Sequence, residues 1–332
     1  MKPLRECTVL VTPRSFGTQQ PELRHDLEQA VGTVRYNDIG RSLRAGELAE
    51  RIQDVDGLIA GLDEIDASVF ASAPSLRVVS RYGVGISNVD LQAATAHSVV
   101  VTYTPGANAE AVAELAIGFM FALARAIFSS SHAVSQGEWK ASYGSQISGR
   151  TVGLIGLGRI GHLVARHALA LGCTVTAHDP YLDVSALPDH RVNLYSLDEV
   201  VATADFLSLH MPVTDETREI VNLDLLRKLR PEAFLINTAR GELVVEPDLI
   251  VALESGLLRG AALDTLAVEP PEPDNPLLHR QDVIITPHIG AHTIEATEAM
   301  GRMAMQDLLA VLSGRRPQYP VLPNKETIHA TI

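Results

Sequence analysis

At 332 residues, with 46% hydrophobic and 20% charged residues, the chain has the make-up of an ordinary globular protein large enough for two domains. A formal charge of −13 argues against nucleic acid or an anionic membrane surface as partner, while leaving room for a locally basic pocket that takes a small anion. The N-terminal MKPLRECTVLV has no apolar core of the kind a secretion signal needs, and the most apolar segment, Val112 to Ala126, is interrupted by Glu114 and Arg125 and is too short to span a bilayer.

The chain is expected to be soluble and cytoplasmic. Cys7 and Cys173 both fall in apparent buried strands and read as core residues, in keeping with a reducing compartment. Strands are predicted at Cys7 to Thr12, around Val34, at Asp56 to Ala60, Arg77 to Ser80 and Val99 to Val101. Helices at Gln20 to Ala30, Ala45 to Ile52 and Ala67 to Ala71 lie between them, which makes a first, smaller α/β unit. RYGVGISNVD, from Arg81 to Asp90, breaks that alternation. Gly83 and Gly85 stand there at a strand end, where backbone N–H groups can converge on an anion, unless the loop is only a turn. Asn108 to Ala126 reads as a long apolar helix, suited to a dimer interface or to ordinary core burial. Ser129 to Ser148, with Trp139, reads as a polar irregular arm.

The segment around which the rest is arranged is GRTVGLIGLGRIGHLVARHALALGCTVTAHDP, residues 149–180. A β-branched apolar run, Thr151 to Ile155, leads into Gly156, Gly158 and Gly161 in the pattern G-x-G-x-x-G. A helix from Ile160 to Leu171 and a strand from Cys173 to Ala177 follow, and Asp179 closes the unit 23 residues after Gly156. The first glycine permits the tight turn, the second lets a pyrophosphate approach the backbone, and the third lets helix and strand pack closely. The helix N-terminus offers free N–H groups to phosphate, and Asp179 can accept from a ribose diol. With Pro180 and Tyr181 rather than Arg beyond it, a 2′-phosphate would find no cation, so NAD is expected rather than NADP.

Further βα units continue to Val283 to Thr286. A helix from Glu295 to Leu312 could return the chain to the first unit, and Pro317 to Pro323 would be an extended tail. The expected architecture is α/β: two Rossmann-like domains with doubly wound parallel sheets, the nucleotide domain (106–296) inserted in a discontinuous substrate domain (1–105 and 297–332).

Three polar residues follow apolar strands at the sheet edge where ligands bind: Arg240 after FLINTA, Glu269 beyond AALDTLAV, and His288 after VIITP. An Arg can hold a carboxylate and polarise the neighbouring carbonyl, a His can carry the proton that accompanies a hydride, and a Glu can fix the His tautomer. Each has a plainer reading. Arg240 could be a surface ion-pair former and Glu269 a loop carboxylate. His288 and His292 share a metal-ligand spacing, but Pro287 and Gly290 argue against the helix it requires, so no metal is expected. His210, at another strand end, reads as pocket lining.

These motifs, with TPGANAEAVAELAIG, LHMPVTDETREIVN and GAALDTLAVEPP, resemble the D-isomer-specific 2-hydroxyacid dehydrogenases, near the short phosphoglycerate dehydrogenase-like members, over about residues 55–315. The resemblance implies a homodimer through the nucleotide domain. It casts Arg240 as substrate-binding and electrophilic, Glu269 as partner of the base and His288 as general acid/base. It places the Arg159 and Ile160 amides on the pyrophosphate, Asp264 at the nicotinamide end, and Met211, Thr238, Ala239 and Gly290 against the cofactor. The Val84 and Gly85 amides would hold the substrate carboxylate, with Arg81 beside them. Ser87 stands where the family usually has Asp, Tyr103 where it has Asn, and His292 where it has Ser. Ala60-Gly61-Leu62 lacks the Arg with which phosphoglycerate dehydrogenases help hold a phosphate. The expected partner is a small anionic 2-hydroxy or 2-oxo acid, with 3-phosphoglycerate and hydroxypyruvate or glyoxylate both open. The competing class is an NAD-sensing scaffold like the family's corepressor relatives. A formate dehydrogenase, which pairs its His with Gln, is disfavoured by Glu269.

Overall fold

The computed structural model describes residues 2–182, 187 and 189–321, so residues 322 and 323 of the expected tail lie outside the described residues. The chain divides into two compact units. One runs up to Asn108 and resumes at Ala291; the other is Ala109–Gly290. The expected α/β class with two parallel sheets is what the chain adopts.

In the first unit, β1 (Thr8–Val11), β2 (Thr33–Tyr36), β3 (Gly57–Ala60), β4 (Val78–Arg81) and β5 (Val100–Thr102) pair in the order β2-β1-β3-β4-β5. All pairs are parallel, because each strand returns through a helix or a long connection rather than a tight hairpin. Side chains alternate across the sheet. Leu10, Leu58, Ala60 and Val79 meet Leu48, Val69 and Phe70 from α2 (Ala45–Arg51) and α3 (Ala67–Ala71). Val9, Val11, Ile59 and Val78 meet Leu23 and Leu27 of α1 (Pro21–Ala30), and Met300 and Leu308 of α11 (Ile294–Leu312). A short helix, α4 (Leu91–Ala96), follows an Asp90 N-cap. The buried Asp307 of α11 accepts the Gln318 and Tyr319 amides at 2.7 and 2.9 Å, and Pro320 bridges antiparallel to Thr102, so the tail lies along β5.

The second unit holds β6 (Thr151–Ile155), β7 (Thr174–His178), β8 (Val192–Leu194), β9 (Phe206–Leu209), β10 (Phe234–Asn237), β11 (Gly260–Leu263) and β12 (Val283–Ile285), in the order β12-β11-β10-β9-β6-β7-β8. The first strand, β6, thus has β7 on one side and β9 on the other. That reversal of strand order opens a crevice at their carboxyl ends, the place where such sheets bind ligands. One face is covered by α5 (Ala109–Ala124) and α7 (Arg159–Ala170), through Ala113, Ala116, Met120, Val164 and Ala168. The other is covered by α8 (Leu197–Thr203), α9 (Leu223–Leu226) and α10 (Glu246–Glu254), through Val200, Leu225, Leu226 and Leu249.

Where an irregular polar arm was expected after α5, the chain forms α6 (Ile127–Ser135). The left-handed backbone of Ala126, at φ 49°, ends α5, and α6 buries none of its residues. Its apolar side chains therefore follow no core-facing period. Among the described residues no single helix is long and apolar enough to cross a membrane. Phe206 is fully buried and stacks on Phe234 at 5.4 Å between centroids. Phe206→Ala is expected to remove about 3–5 kcal/mol of stability, read as a lowered denaturant midpoint; a loss below ~1 kcal/mol would contradict this packing.

Candidate active site

The loop after β6 is shaped by close approach. Gly156 has φ +90°, and a Cβ there would lie 2.5 Å from the His210 carbonyl oxygen; one on Gly161 would lie 2.4 Å from the Gly156 oxygen. Only glycine lets β6, the end of β9 and the start of α7 meet so tightly. Gly158 is the N-cap of α7 and no side chain caps the helix. The amides of Arg159, Ile160 and Gly161 in its first turn therefore have no intrahelical acceptor and are open to an anion. At the end of β7, Asp179 accepts the Leu157 amide at 2.9 Å and the Tyr181 amide at 3.0 Å. This leaves about two of a carboxylate's four acceptor positions for a ligand.

The neighbouring strand ends complete this edge. His210 is buried, bonded through Nε2 to Ser208 Oγ at 2.8 Å, and burial pushes its pKa down to about 3. It is a neutral packing group whose carbonyl walls the glycine turn, rather than a lining side chain available for chemistry. Met211 beside it is buried, as is Thr238, whose Oγ1 has no partner among the described residues. An orphaned buried hydroxyl at the carboxyl end of β10, on the same sheet edge as the uncapped helix and the glycine cradle, fits a bound dinucleotide.

Arg240, Glu269 and His288 come together at the ends of β10, β11 and β12. Asn237 closes the turn after β10, accepting the Ala239 amide at 3.0 Å and donating to the Arg240 carbonyl at 2.7 Å. A Cβ on Gly241 would lie 2.0 Å from the Leu266 carbonyl carbon, so the Arg240 turn is pressed directly on the segment that leads to Glu269. Arg240 is half-buried and donates to the Ala239 carbonyl at 2.6 Å. Burial pushes its pKa below the usual value while Glu242 and Glu269 oppose that, and the guanidinium stays a cation.

Glu269 accepts the Leu266 amide at 3.1 Å through Oε1, and its Oε2 stands 2.8 Å from His288 Nδ1. Burial alone would raise its pKa. The His288 hydrogen bond and charge, the Leu266 amide and the Arg240 cation outweigh that and hold it below the ordinary carboxylate value. An ionised carboxylate only accepts, so Nδ1 carries a proton and Nε2 is the nitrogen left for chemistry.

The His288 loop is set from below by Asp264, which is 2% exposed. Its Oδ1 accepts Thr286 Oγ1 at 2.6 Å and the Ile289 amide at 2.8 Å, and its Oδ2 accepts the Gly290 amide at 2.7 Å. Between those anchors His288 takes left-handed backbone at φ +53°. The sequence reading did not single out Asn237, Gly241 or Thr286. An Asn just after an apolar run is a turn signal that could have marked the first.

Arg81, Val84 and Gly85 belong to the first unit. Arg81 is 2% exposed; its Nε donates to the Gly85 carbonyl at 3.0 Å, and its Nη1 donates to Ala60 at 2.6 Å and also to Gly61. The Val84 and Gly85 amides have no acceptor among the described residues. No group of three or more metal-ligating side chains occurs among those residues either.

Residues 117–290 match the family model described as D-isomer specific 2-hydroxyacid dehydrogenase, NAD binding domain. A glyoxylate reductase of Thermofilum pendens is 38% identical over 291 residues, covering 85% of each chain. A D-3-phosphoglycerate dehydrogenase of Mycobacterium tuberculosis is 39% identical over 271 residues, covering 81% of this chain but 51% of that protein. An NADPH-dependent glyoxylate/hydroxypyruvate reductase of Sinorhizobium meliloti, solved with NADP and malonate, superposes with a TM-score of 0.81 at 30% identity, covering 95% of this chain and 97% of that one.

Because the Glu269 pKa is depressed by folding, its contribution to stability is present above the unfolded value, about 4.3, and is lost as pH falls through the folded one. The stability gap between the wild type and Glu269→Gln should therefore shrink as pH falls from about 5 through ~4.3, as read by urea midpoints. A gap that widens as pH falls below about 5 would contradict the assignment.

Proposed function

We propose, on the premise that the chain belongs to the D-isomer specific 2-hydroxyacid dehydrogenase family, that this oxidoreductase interconverts a small unphosphorylated 2-oxo acid and its D-2-hydroxy acid with NAD. The observation that carries the reading is the Glu269–His288 pair beside Arg240 at the ligand-binding edge of a sheet that fits a dinucleotide. The dinucleotide, when bound, supplies or accepts the hydride at its nicotinamide ring. The chain's own residues hold, orient and move the proton.

The Arg159 and Ile160 amides and Gly158 receive the pyrophosphate, and Asp179 takes the adenosine ribose. The carboxylate of Asp179, with no cation following in Pro180 and Tyr181, supports NAD over NADP. Asp264 is assigned to the nicotinamide end, and Met211, Thr238, Ala239 and Gly290 to the cofactor. The Val84 and Gly85 amides and the Arg240 fork are assigned to the substrate carboxylate, and Arg240 also polarises the neighbouring carbonyl. In reduction, His288 gives the proton on Nε2 to the carbonyl oxygen; in oxidation, it takes the hydroxyl proton back. Glu269 keeps the imidazole in the tautomer that makes both steps possible.

Two observations favour an unphosphorylated substrate. Ala60-Gly61-Leu62 places no cation after β3, and the Arg81 guanidinium is already bonded to backbone carbonyls. A homodimer through the second unit is supported by an exposed apolar surface, with Phe128, Trp139 and Tyr143 at 60%, 91% and 96% exposure. The free buried Cys7 and Cys173 fit a reducing cytoplasm.

NADH oxidation with glyoxylate, hydroxypyruvate and phosphohydroxypyruvate tests the reading. The unphosphorylated acids should be preferred in kcat/KM. His288→Ala should lose roughly 10²–10⁴-fold in kcat with NADH affinity kept, and unchanged turnover would overturn the role of His288.

A further inference from the structure

We infer that Arg81 is a positioning residue: it locks the loop whose amides receive the substrate anion and does not itself bind that anion. The inference rests on the functional reading above. Arg81 ends β4, in register with Ala60 at the end of β3, so its side chain starts at the sheet edge where the connections after both strands leave. It is among the largest fully buried side chains in the chain. Its fork spans two loops at once, with Nε on the Gly85 carbonyl and Nη1 on the Ala60 and Gly61 carbonyls. Turning the guanidinium toward a substrate would strand those carbonyls without their donor, which is costly for buried polar groups.

The locked loop has a definite polarity. The Gly83 carbonyl accepts the Thr104 amide at 3.1 Å. In a trans peptide the N–H points opposite to the C=O, so that bond turns the Val84 N–H away from Thr104. At the other end the Gly85 carbonyl is drawn onto the Arg81 cation. The Val84 and Gly85 amides thus sit between two fixed carbonyls, and neither meets a protein acceptor among the described residues.

The floor is braced in the same way. Buried Asp63 accepts the Gly61 amide at 3.0 Å and the Leu43 amide at 2.8 Å, and also takes the Thr12 hydroxyl. Asn88 donates to the Asp63 carbonyl at 2.6 Å. A cation with carbonyl oxygens turned toward it polarises those hydrogen bonds and strengthens the network that holds the loop. Recognition by neutral amides should respond to the carboxylate common to all 2-oxo acids, and not to extra charge at C3.

Arg81→Lys separates the two roles, because it keeps the charge but not the fork. We expect KM to rise at least about tenfold, by the same factor for glyoxylate and for phosphohydroxypyruvate, with kcat changed much less. A KM held within twofold of wild type for glyoxylate, or a penalty that grows with substrate charge, would overturn the inference. NADH binding and the thermal midpoint report whether the variant is folded. If it is not, the wild type decides by ¹H–¹⁵N spectra with oxamate. Shifts of the Val84 and Gly85 amides with an unmoved Arg81 Nε–H support the inference, and a shifted Arg81 Nε–H overturns it. Absence of wild-type turnover on every 2-oxo acid would instead sink the functional reading.

Discussion

The hydrogen bond between Glu269 and His288 Nδ1 is the interaction on which the proposed chemistry depends. It works only if the carboxyl is ionised, and a partly buried carboxyl is not ionised by default. The Leu266 amide, the His288 ring and the Arg240 cation offset the cost of burial, so the site keeps a proton acceptor where solvent is thinned out. Arg240 therefore has two duties in the proposed reaction. It would meet a substrate carboxylate, and it helps keep Glu269 ionised.

Three strand ends must keep their spacing for that arrangement to survive. The glycine contact at Gly241 leaves no room for the Arg240 turn to drift from the Leu266 segment. Asp264, at the end of β11, holds both sides of the His288 loop, and His288 sits in a backbone region that few non-glycine residues occupy. The rigidity comes from buried polar groups bonded to backbone rather than from the apolar core, which supplies only the platform. The first unit follows the same logic, with Arg81 and Asp63 tying loops together at the ends of β1, β3 and β4.

Much of this was legible in the sequence. The glycine fingerprint dictates a strand, a turn and a helix because each glycine answers a steric demand that other residues cannot meet. Short apolar runs separated by amphipathic stretches gave both sheets and their parallel sense. Helix α8 carries its own local signal, the capping box of Ser196 and Glu199. Helix α6 was missed because it turns no residue into a core, so no burial period marks it. The candidate catalytic residues could be placed from their strand ends. The inward-facing bonds of Arg81, Asp264 and Gly290 could not, since a charged residue and its backbone partner leave no spacing pattern.

Transfer of isotope tests the central claim most directly. The enzyme would be run with NADH deuterated at the transferable C4 position and a small 2-oxo acid such as hydroxypyruvate, and the product examined by NMR and chiral separation. The account predicts one deuterium at C2 of a D-2-hydroxy acid. Product without deuterium at C2, or an L product, would contradict it.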